Sequence, residues 1–237
     1  MSFITHYSSS PTESSIIARI DMTNHTLTNG VTQLSKWLDT LNFFDNGMSK
    51  YGNTISRSQL WFHEQGNYFS SDWKTRTHDR WTSQPYLDSI DNITNEFDNV
   101  QNKFLSQCTA KGIDLEYTRF NSCQINKYAN SKQCIAAHSD NQSDFGADPT
   151  IMIWSLGAKR RMIFRRLYHN INKPQSRKID MSFEPIVVDL LPNTVLVMAG
   201  TTQKYFQHEI PTEEYDCGLR YSLTFRAHNT TSLQHVH

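Results

Sequence analysis

No stretch of this 237-residue chain is long and apolar enough to span a bilayer. The longest apolar runs, Ile186 to Leu191 broken by Asp189 and Thr194 to Ala199, fall far short. Met1 to Ser15 is rich in Ser and Thr and lacks a basic start followed by an apolar stretch, so it does not read as a secretory signal. An excess of one charge is missing too. Lys plus Arg and Asp plus Glu are 23 each, so any attraction to nucleic acid must come from a local patch. The four cysteines, Cys108, Cys123, Cys134 and Cys217, form no Cys-x-x-Cys pair. That weighs against a zinc site and a disulfide framework, and predicts reduced thiols in an intracellular, cytoplasmic protein. No internal repeat and no linker is visible, so the expectation is one soluble domain with a substantial core.

What is present falls into two halves. Residues 1–15 read as a flexible N-terminus and 16–237 as the domain, with a helical part over 28–110 and a strand-rich core over 115–228. Val31, Leu34, Leu38 and Leu41, widened by Trp37, recur at helical spacing. Leu87, Ile90, Ile93, Phe97, Val100 and Phe104 predict a longer helix over roughly 84–108, starting at Pro85 and ending before Gly112. Strands are predicted near 117–128, 150–156, 161–168, 184–190, 194–199, 204–210 and 219–228, separated by Gly, Pro and Asn turns. Helices followed by a run of strands give an α+β fold, a sandwich or open barrel with the helices packed on one sheet. Between Leu60 and Trp81, Trp61, Phe62, Tyr68, Phe69, Trp73 and Trp81 stand among polar residues, so several of these rings should line a surface or cleft.

The chemistry concentrates in a few residues. His138-Ser139-Asp140 places two ligands one residue apart, and the distant His208 can close the site. Two histidines and one carboxylate on one face of an octahedral ion leave positions open for co-substrate and oxygen, as in non-haem Fe(II) oxygenases. Asn126 and Tyr128 share a strand face, as do Arg220, Ser222, Thr224 and Arg226. Burying two guanidiniums on one face requires anions to pair with them. A buried dicarboxylic acid would serve. An exposed edge strand with alternating charge is the other reading.

Asn126-x-Tyr128, His138-x-Asp140, His208 and Arg220-x-Ser222-x-Thr224-x-Arg226, in that order, resemble the AlkB family of Fe(II)/2-oxoglutarate dioxygenases, which oxidatively remove alkyl groups from nucleic-acid bases. The flanking residues, Phe120 to Tyr128, His138 to Asn141, and Val197 to Gln203 running into His208-Glu209-Ile210-Pro211, are most similar to AlkB domains of positive-strand RNA virus replicase polyproteins. The resemblance covers roughly Leu60 to His228. It implies a double-stranded β-helix (jelly roll) that uses Fe(II), 2-oxoglutarate and O2. His138, Asp140 and His208 become the iron ligands. Arg220 pairs with the distal carboxylate of 2-oxoglutarate, and Asn126 and Tyr128 hydrogen-bond the same co-substrate. Arg226 completes the catalytic set beside the metal-side carboxylate and Asp140. Trp61 and Tyr68 resemble the family's nucleotide-recognition lid, although ordinary packing would also account for both rings.

Two positions depart from the family pattern. Ser222 stands where Asn is usual and can still support the co-substrate; Gln142 stands where an acidic residue commonly lies near the base, and an amide cannot favour a cation by charge. The implied substrates are 1-methyladenine or 3-methylcytosine in RNA or single-stranded DNA, with other replicase domains as partners and no membrane. Lys159, Arg160, Arg161, Arg165 and Arg166 form the one dense basic run, which reads either as a phosphate contact, with Arg160 and Arg161 binding substrate, or as a solvated strand face. His63, His78, His169 and His228 read as surface or packing residues. The competing functions are a 2-oxoglutarate hydroxylase of a protein or small molecule, and an inactive RNA-binding module.

Overall fold

Alternation along the strands builds two sheets that face each other. The computed structural model describes residues 3–8, 13–45, 47, 54–65, 83–169 and 177–228. Eight strands form the larger sheet: β1 (Phe3–Tyr7), β2 (Ser15–Asp21), β11 (Thr194–Gly200), β7 (Ile151–Gly157), β13 (Arg220–Arg226), β5 (Ser122–Tyr128), β3 (Ser58–His63) and β4 (Ser83–Pro85), in that spatial order. The smaller sheet runs β10 (Ile186–Leu190), β8 (Arg160–His169), β12 (Phe206–Ile210), β6 (Ile135–His138), with β9 (Arg177–Ile179) paired to β8. Two sheets enclosing a common interior are the expected jelly-roll architecture.

Helices cover the outer face of the larger sheet, as expected. Between the short α1 (Thr26–Asn29) and the long helix lies α2 (Val31–Asp39), which buries Leu38. The long helix α3 (Asp88–Thr109) presents Ile90, Ile93, Phe97, Val100, Phe104 and Cys108 to Leu60, Phe62, Cys123, Ile125, Trp154, Leu223 and Phe225. Each large side chain on that face contributes about 1.5–3 kcal/mol of burial. Asp88 and Asp91 complement the positive end of the α3 dipole. Pro85 does not start this helix; it ends β4, which pairs in parallel with β3. The strand expected at 204–210 begins at Phe206, because 202–205 form a helical turn. No described helix is long and apolar enough to cross a membrane, and none of the four cysteines is in a disulfide.

The N-terminal expectation fails. Phe3–Tyr7 is a strand paired along its length with β2, which in turn pairs with β11. Ser15-Ile-Ile-Ala is completely buried, and Gly200 approaches it so closely that a Cβ would lie 2.0 Å from the Ser14 carbonyl oxygen. A run without clear alternation marks a strand buried on both faces.

Candidate metal centre and co-substrate site

The inner face of the larger sheet is apolar at one end and polar at the other. Ile17, Leu196, Met198, Ile151 and Ile153 fill the first end together with Met162, Phe164 and Val188 of the smaller sheet. At the other end the inward positions of β3 (Gln59, Trp61, His63), β5 (Gln124, Asn126, Tyr128) and β13 (Arg220, Ser222, Thr224, Arg226) are buried and mostly polar. Register sets them in rows: Gln59, Asn126, Ser222 and Ser155 lie across from one another, as do Trp61, Gln124 and Thr224.

Over this polar end, His138 and His208 are paired residues of β6 and β12. His138, Asp140 and His208 bring one ligand atom each to within 4.8 Å of one another, the one such cluster among the described residues. Local bonds hold the three in place. His138 Nδ1 lies 2.9 Å from the Ala136 carbonyl, which favours a proton there and leaves Nε2 as the metal-facing nitrogen. Ser139 donates to the Phe206 carbonyl at 2.8 Å, and the Asp140 amide donates to Gln203 Oε1 at 2.8 Å. Asp140 Oδ2 lies 2.9 Å from Arg226 Nε. Burial acts to raise the Asp140 carboxyl, but the Arg226 charge, a His138 hydrogen bond and both imidazoles outweigh it and hold the carboxyl well below its usual range. Burial, reinforced by the neighbouring His138, pulls His208 down to about 3, so it is neutral and ligand-ready at physiological pH. Two imidazoles and an ionised carboxylate match the donor set of an iron(II) centre with open positions.

Arg220 supplies the second half of the site. It is fully buried, donates to Ser155 Oγ at 2.9 Å, and stacks on Tyr128 with its guanidinium carbon 5.1 Å from the ring centroid. Its Nε and Nη1 have no hydrogen-bond partner among the described residues, and no described carboxylate is in ion-pair contact with it. Burial pulls this guanidinium down to about 10. Positive φ at Gly157 places Arg220: a Cβ there would lie 2.3 Å from the Leu219 carbonyl oxygen, so only glycine lets β7 end against the start of β13. A buried cation with unmet donors fits a carboxylate ligand.

The remaining predicted residues divide. Asn126, Tyr128 and Ser222 lie buried beside Arg220 and Arg57, with Asn126 Oδ1 accepting from Arg57 Nε at 2.7 Å. Trp61 is 8% exposed, and Arg226 sits 5.9 Å from its ring centre, so it lines the interior rather than an open lid. Tyr68 and His78 lie outside the described residues. Gln142 donates its amide to the Ala147 carbonyl at 2.6 Å, closing its own turn.

Arg160 cannot reach a phosphate, and the rest of the basic run is ion-paired rather than an open row of cations. Arg160 is fully buried and donates to the Gln133 and Pro211 carbonyls at 2.7 and 2.5 Å, and Arg161 chelates the buried Glu213. Lys159, Arg165 and Arg166 pair with Asp189, Glu209 and Glu13. Carboxylates on β10 and β12 and carbonyls and carboxylates of the adjoining segments already pair with these charges. His63 and His228 are buried with their rings 6.0 Å apart, close to Phe145 and the Arg226 end of the site. Sequence reasoning missed Arg57 and Gln59, although Arg57, Gln59, Trp61 and His63 alternate with period two.

The sequence profile of the 2OG-Fe(II) oxygenase superfamily matches residues 23–226. Alpha-ketoglutarate-dependent dioxygenase alkB homolog 3 of Homo sapiens is 34% identical over 108 residues, 45% of this chain and 36% of the relative. DNA oxidative demethylase ALKBH2 of Arabidopsis thaliana is 27% identical over 119 residues, 46% of this chain and 38% of the relative. The matched region thus spans less than half the length of these relatives. Among solved structures, OsALKBH1 superposes with a TM-score of 0.57 at 16% identity, covering 94% of this chain and all of the other. A prolyl hydroxylase from Trichoplax adhaerens superposes with 0.52 at 12% identity, covering 93% of this chain and 87% of the other. These likenesses show the double-stranded β-helix fold. With the profile covering residues 23–226, most of the sequence, the chain belongs to the 2OG-Fe(II) oxygenase superfamily.

Proposed function

We propose that this protein is an Fe(II)/2-oxoglutarate-dependent demethylase of N-alkylated bases, 1-methyladenine and 3-methylcytosine, in RNA or single-stranded DNA. The observation that carries the reading is Arg220, a fully buried cation with two donor atoms unmet beside a two-histidine, one-carboxylate cluster. The superfamily's cofactors are Fe(II), 2-oxoglutarate and O2.

In this reading His138, Asp140 and His208 hold the iron. Arg220 takes the distal carboxylate of 2-oxoglutarate, with Tyr128, Asn126 and Ser222 around it. Arg226 keeps Asp140 ionised and aimed, and Trp61 offers its ring to the flipped base. When bound, the iron and 2-oxoglutarate would supply oxidation by O2, one oxygen atom entering the succinate formed with loss of carbon dioxide and the other the N-methyl carbon, which leaves as formaldehyde. The chain's own contribution is position, charge balance and exclusion of water. The reading treats the chain, its N-terminal strand pair included, as one cytoplasmic dioxygenase domain. The likeness of its motifs to viral AlkB domains supports a place within a replicase polyprotein.

The test is mass spectrometry of short single-stranded oligonucleotides carrying either methylated base, incubated with the protein, Fe(II), ascorbate and 2-oxoglutarate. The expected result is loss of one methyl mass, dependent on iron and abolished by His208→Ala. Succinate formed without any loss of methyl mass would point instead to a hydroxylase of another substrate.

A further inference from the structure

Two arginines fix the direction of the buried amides beside the metal cluster. Arg226 Nη1 donates to Gln124 Oε1 at 3.0 Å, which turns Gln124 Nε2 toward Asn126 Oδ1 at 3.4 Å and Gln59 Oε1 at 3.5 Å. Arg57 Nε donates to Asn126 Oδ1, so that oxygen is also fixed. Flipping Gln59 would set one NH2 group against another, because the relay starting at Arg226 delivers a donor to it. Gln59 therefore keeps Oε1 in the relay and leaves Nε2 over. This side chain is fully buried, and Nε2 has no acceptor among the described residues. A buried donor left unmet is costly, and an acceptor on a ligand relieves that cost.

Gln59 lies next to Trp61 on the inward face of β3, at the edge of the row that runs through Asn126 and Ser222 to Ser155; it is not one of the metal-cluster residues, and no hydrogen bond joins it to Arg220. We propose that Gln59 is the specificity-determining residue for the target base, its Nε2–H donating to a carbonyl oxygen adjacent to the alkylated ring nitrogen. This rests on the demethylase reading. In 3-methylcytosine and 3-methyluracil the methylated N3 is flanked by the C2 carbonyl. In 1-methyladenine the methylated N1 is flanked by C2–H on that side, and the donor stays unmet. Charge does not favour a cationic base here: Arg57 and Arg226 are buried on the same face, Asp140 is turned to Arg226, and Gln142 is spent on the Ala147 carbonyl. Discrimination then comes from a hydrogen bond, and bases lacking the acceptor are rejected.

The experiment compares kcat/KM of the full chain, with Fe(II) and 2-oxoglutarate, on matched single-stranded RNA pentamers carrying 3-methylcytosine, 3-methyluracil or 1-methyladenine. Wild type and the Gln59→Leu and Gln59→Glu variants are measured together. The wild type should favour the two carbonyl-bearing bases over 1-methyladenine by about tenfold or more. Gln59→Leu should collapse that ratio toward one, and Gln59→Glu, an acceptor in place of a donor, should invert it. Equal rates on all three bases in the wild type, or a ratio unmoved by both variants, would overturn the inference. So would a ratio that holds while the KM for 2-oxoglutarate rises, since the donor would then belong to the co-substrate. Succinate formation with no base demethylated would overturn the demethylase reading itself, an outcome distinct from the others.

Discussion

The two faces of β3, β5 and β13 are made by alternate residues of the same strands, yet they do opposite things. Outward, Leu60, Phe62, Cys123, Ile125, Leu223 and Phe225 pack on α3, and Phe97 sits 4.3 Å from Phe225 ring to ring. Inward, Gln59, Gln124, Asn126, Arg220, Ser222 and Arg226 are buried just as deeply. The outer residues just named ask for no hydrogen-bond partner. The inner ones do, and Arg220 and Gln59 retain donors with no acceptor among the described residues. Burial alone therefore does not mark the site, and neither does a single unmet atom, since Trp154 Nε1 behind α3 is unmet too; a gathering of unmet charged and amide donors on one face does.

The sharpest way to break this contrast is Arg226→Met. Asp140, with a side chain 6% exposed, would lose the cation that compensates it. The metal-free protein should be destabilised by about 3–5 kcal/mol, read as a lower urea midpoint. An equal substitution at Arg220 should act in the reverse direction. Arg220→Met removes a buried charge that nothing described balances, so the protein without co-substrate should gain about 1–3 kcal/mol, seen as a raised thermal midpoint, while 2-oxoglutarate turnover is lost. A loss of stability would mean that Arg220 is already satisfied.

The smallest effect is on pH. Burial and the proximity of His228 pull His63 down to about 4, and burial with His138 pulls His208 to about 3, against an ordinary 6.5. With folded values below the unfolded one, the unfolded chain takes protons first as pH falls. Both contributions are full above pH 6.5 and are lost as pH drops from there toward 4 and 3. Urea midpoints of metal-free protein should fall between pH 7 and 5, and His63→Gln should flatten that slope. An unchanged slope would place His63 in a more solvated setting.

Much of the site was legible because spacing carries it. His138-x-Asp140 and the alternation of Arg220 to Arg226 project to one face whatever the details of the turns. The α3 stripe was legible for the same reason. The N-terminal strands were not: Ser15-Ile-Ile-Ala is buried on both faces and shows no alternation, and β1 is held by pairing with β2 and by contacts of Ile4 and Tyr7 with residues distant in sequence. The basic run misled because composition does not reveal partners. Arg160 meets carbonyls contributed by residues 133 and 211, and Arg166 meets Glu13, far away in sequence. Gln59 could not be singled out either, since its importance lies in a hydrogen-bond direction set by Arg226 two strands away.

The central claim is that Arg220 and the His138, Asp140 and His208 cluster form one site for iron and 2-oxoglutarate. Its most direct measurement is an anaerobic titration of 2-oxoglutarate into the Fe(II)-loaded protein, followed by the visible charge-transfer absorption of the chelated iron. The account predicts a saturable band in the wild type, no band in His208→Ala, and saturation displaced to about 30-fold or more higher 2-oxoglutarate in Arg220→Met, the loss expected when one partner of a buried charge pair is truncated. A wild-type band with the same midpoint in Arg220→Met would contradict it.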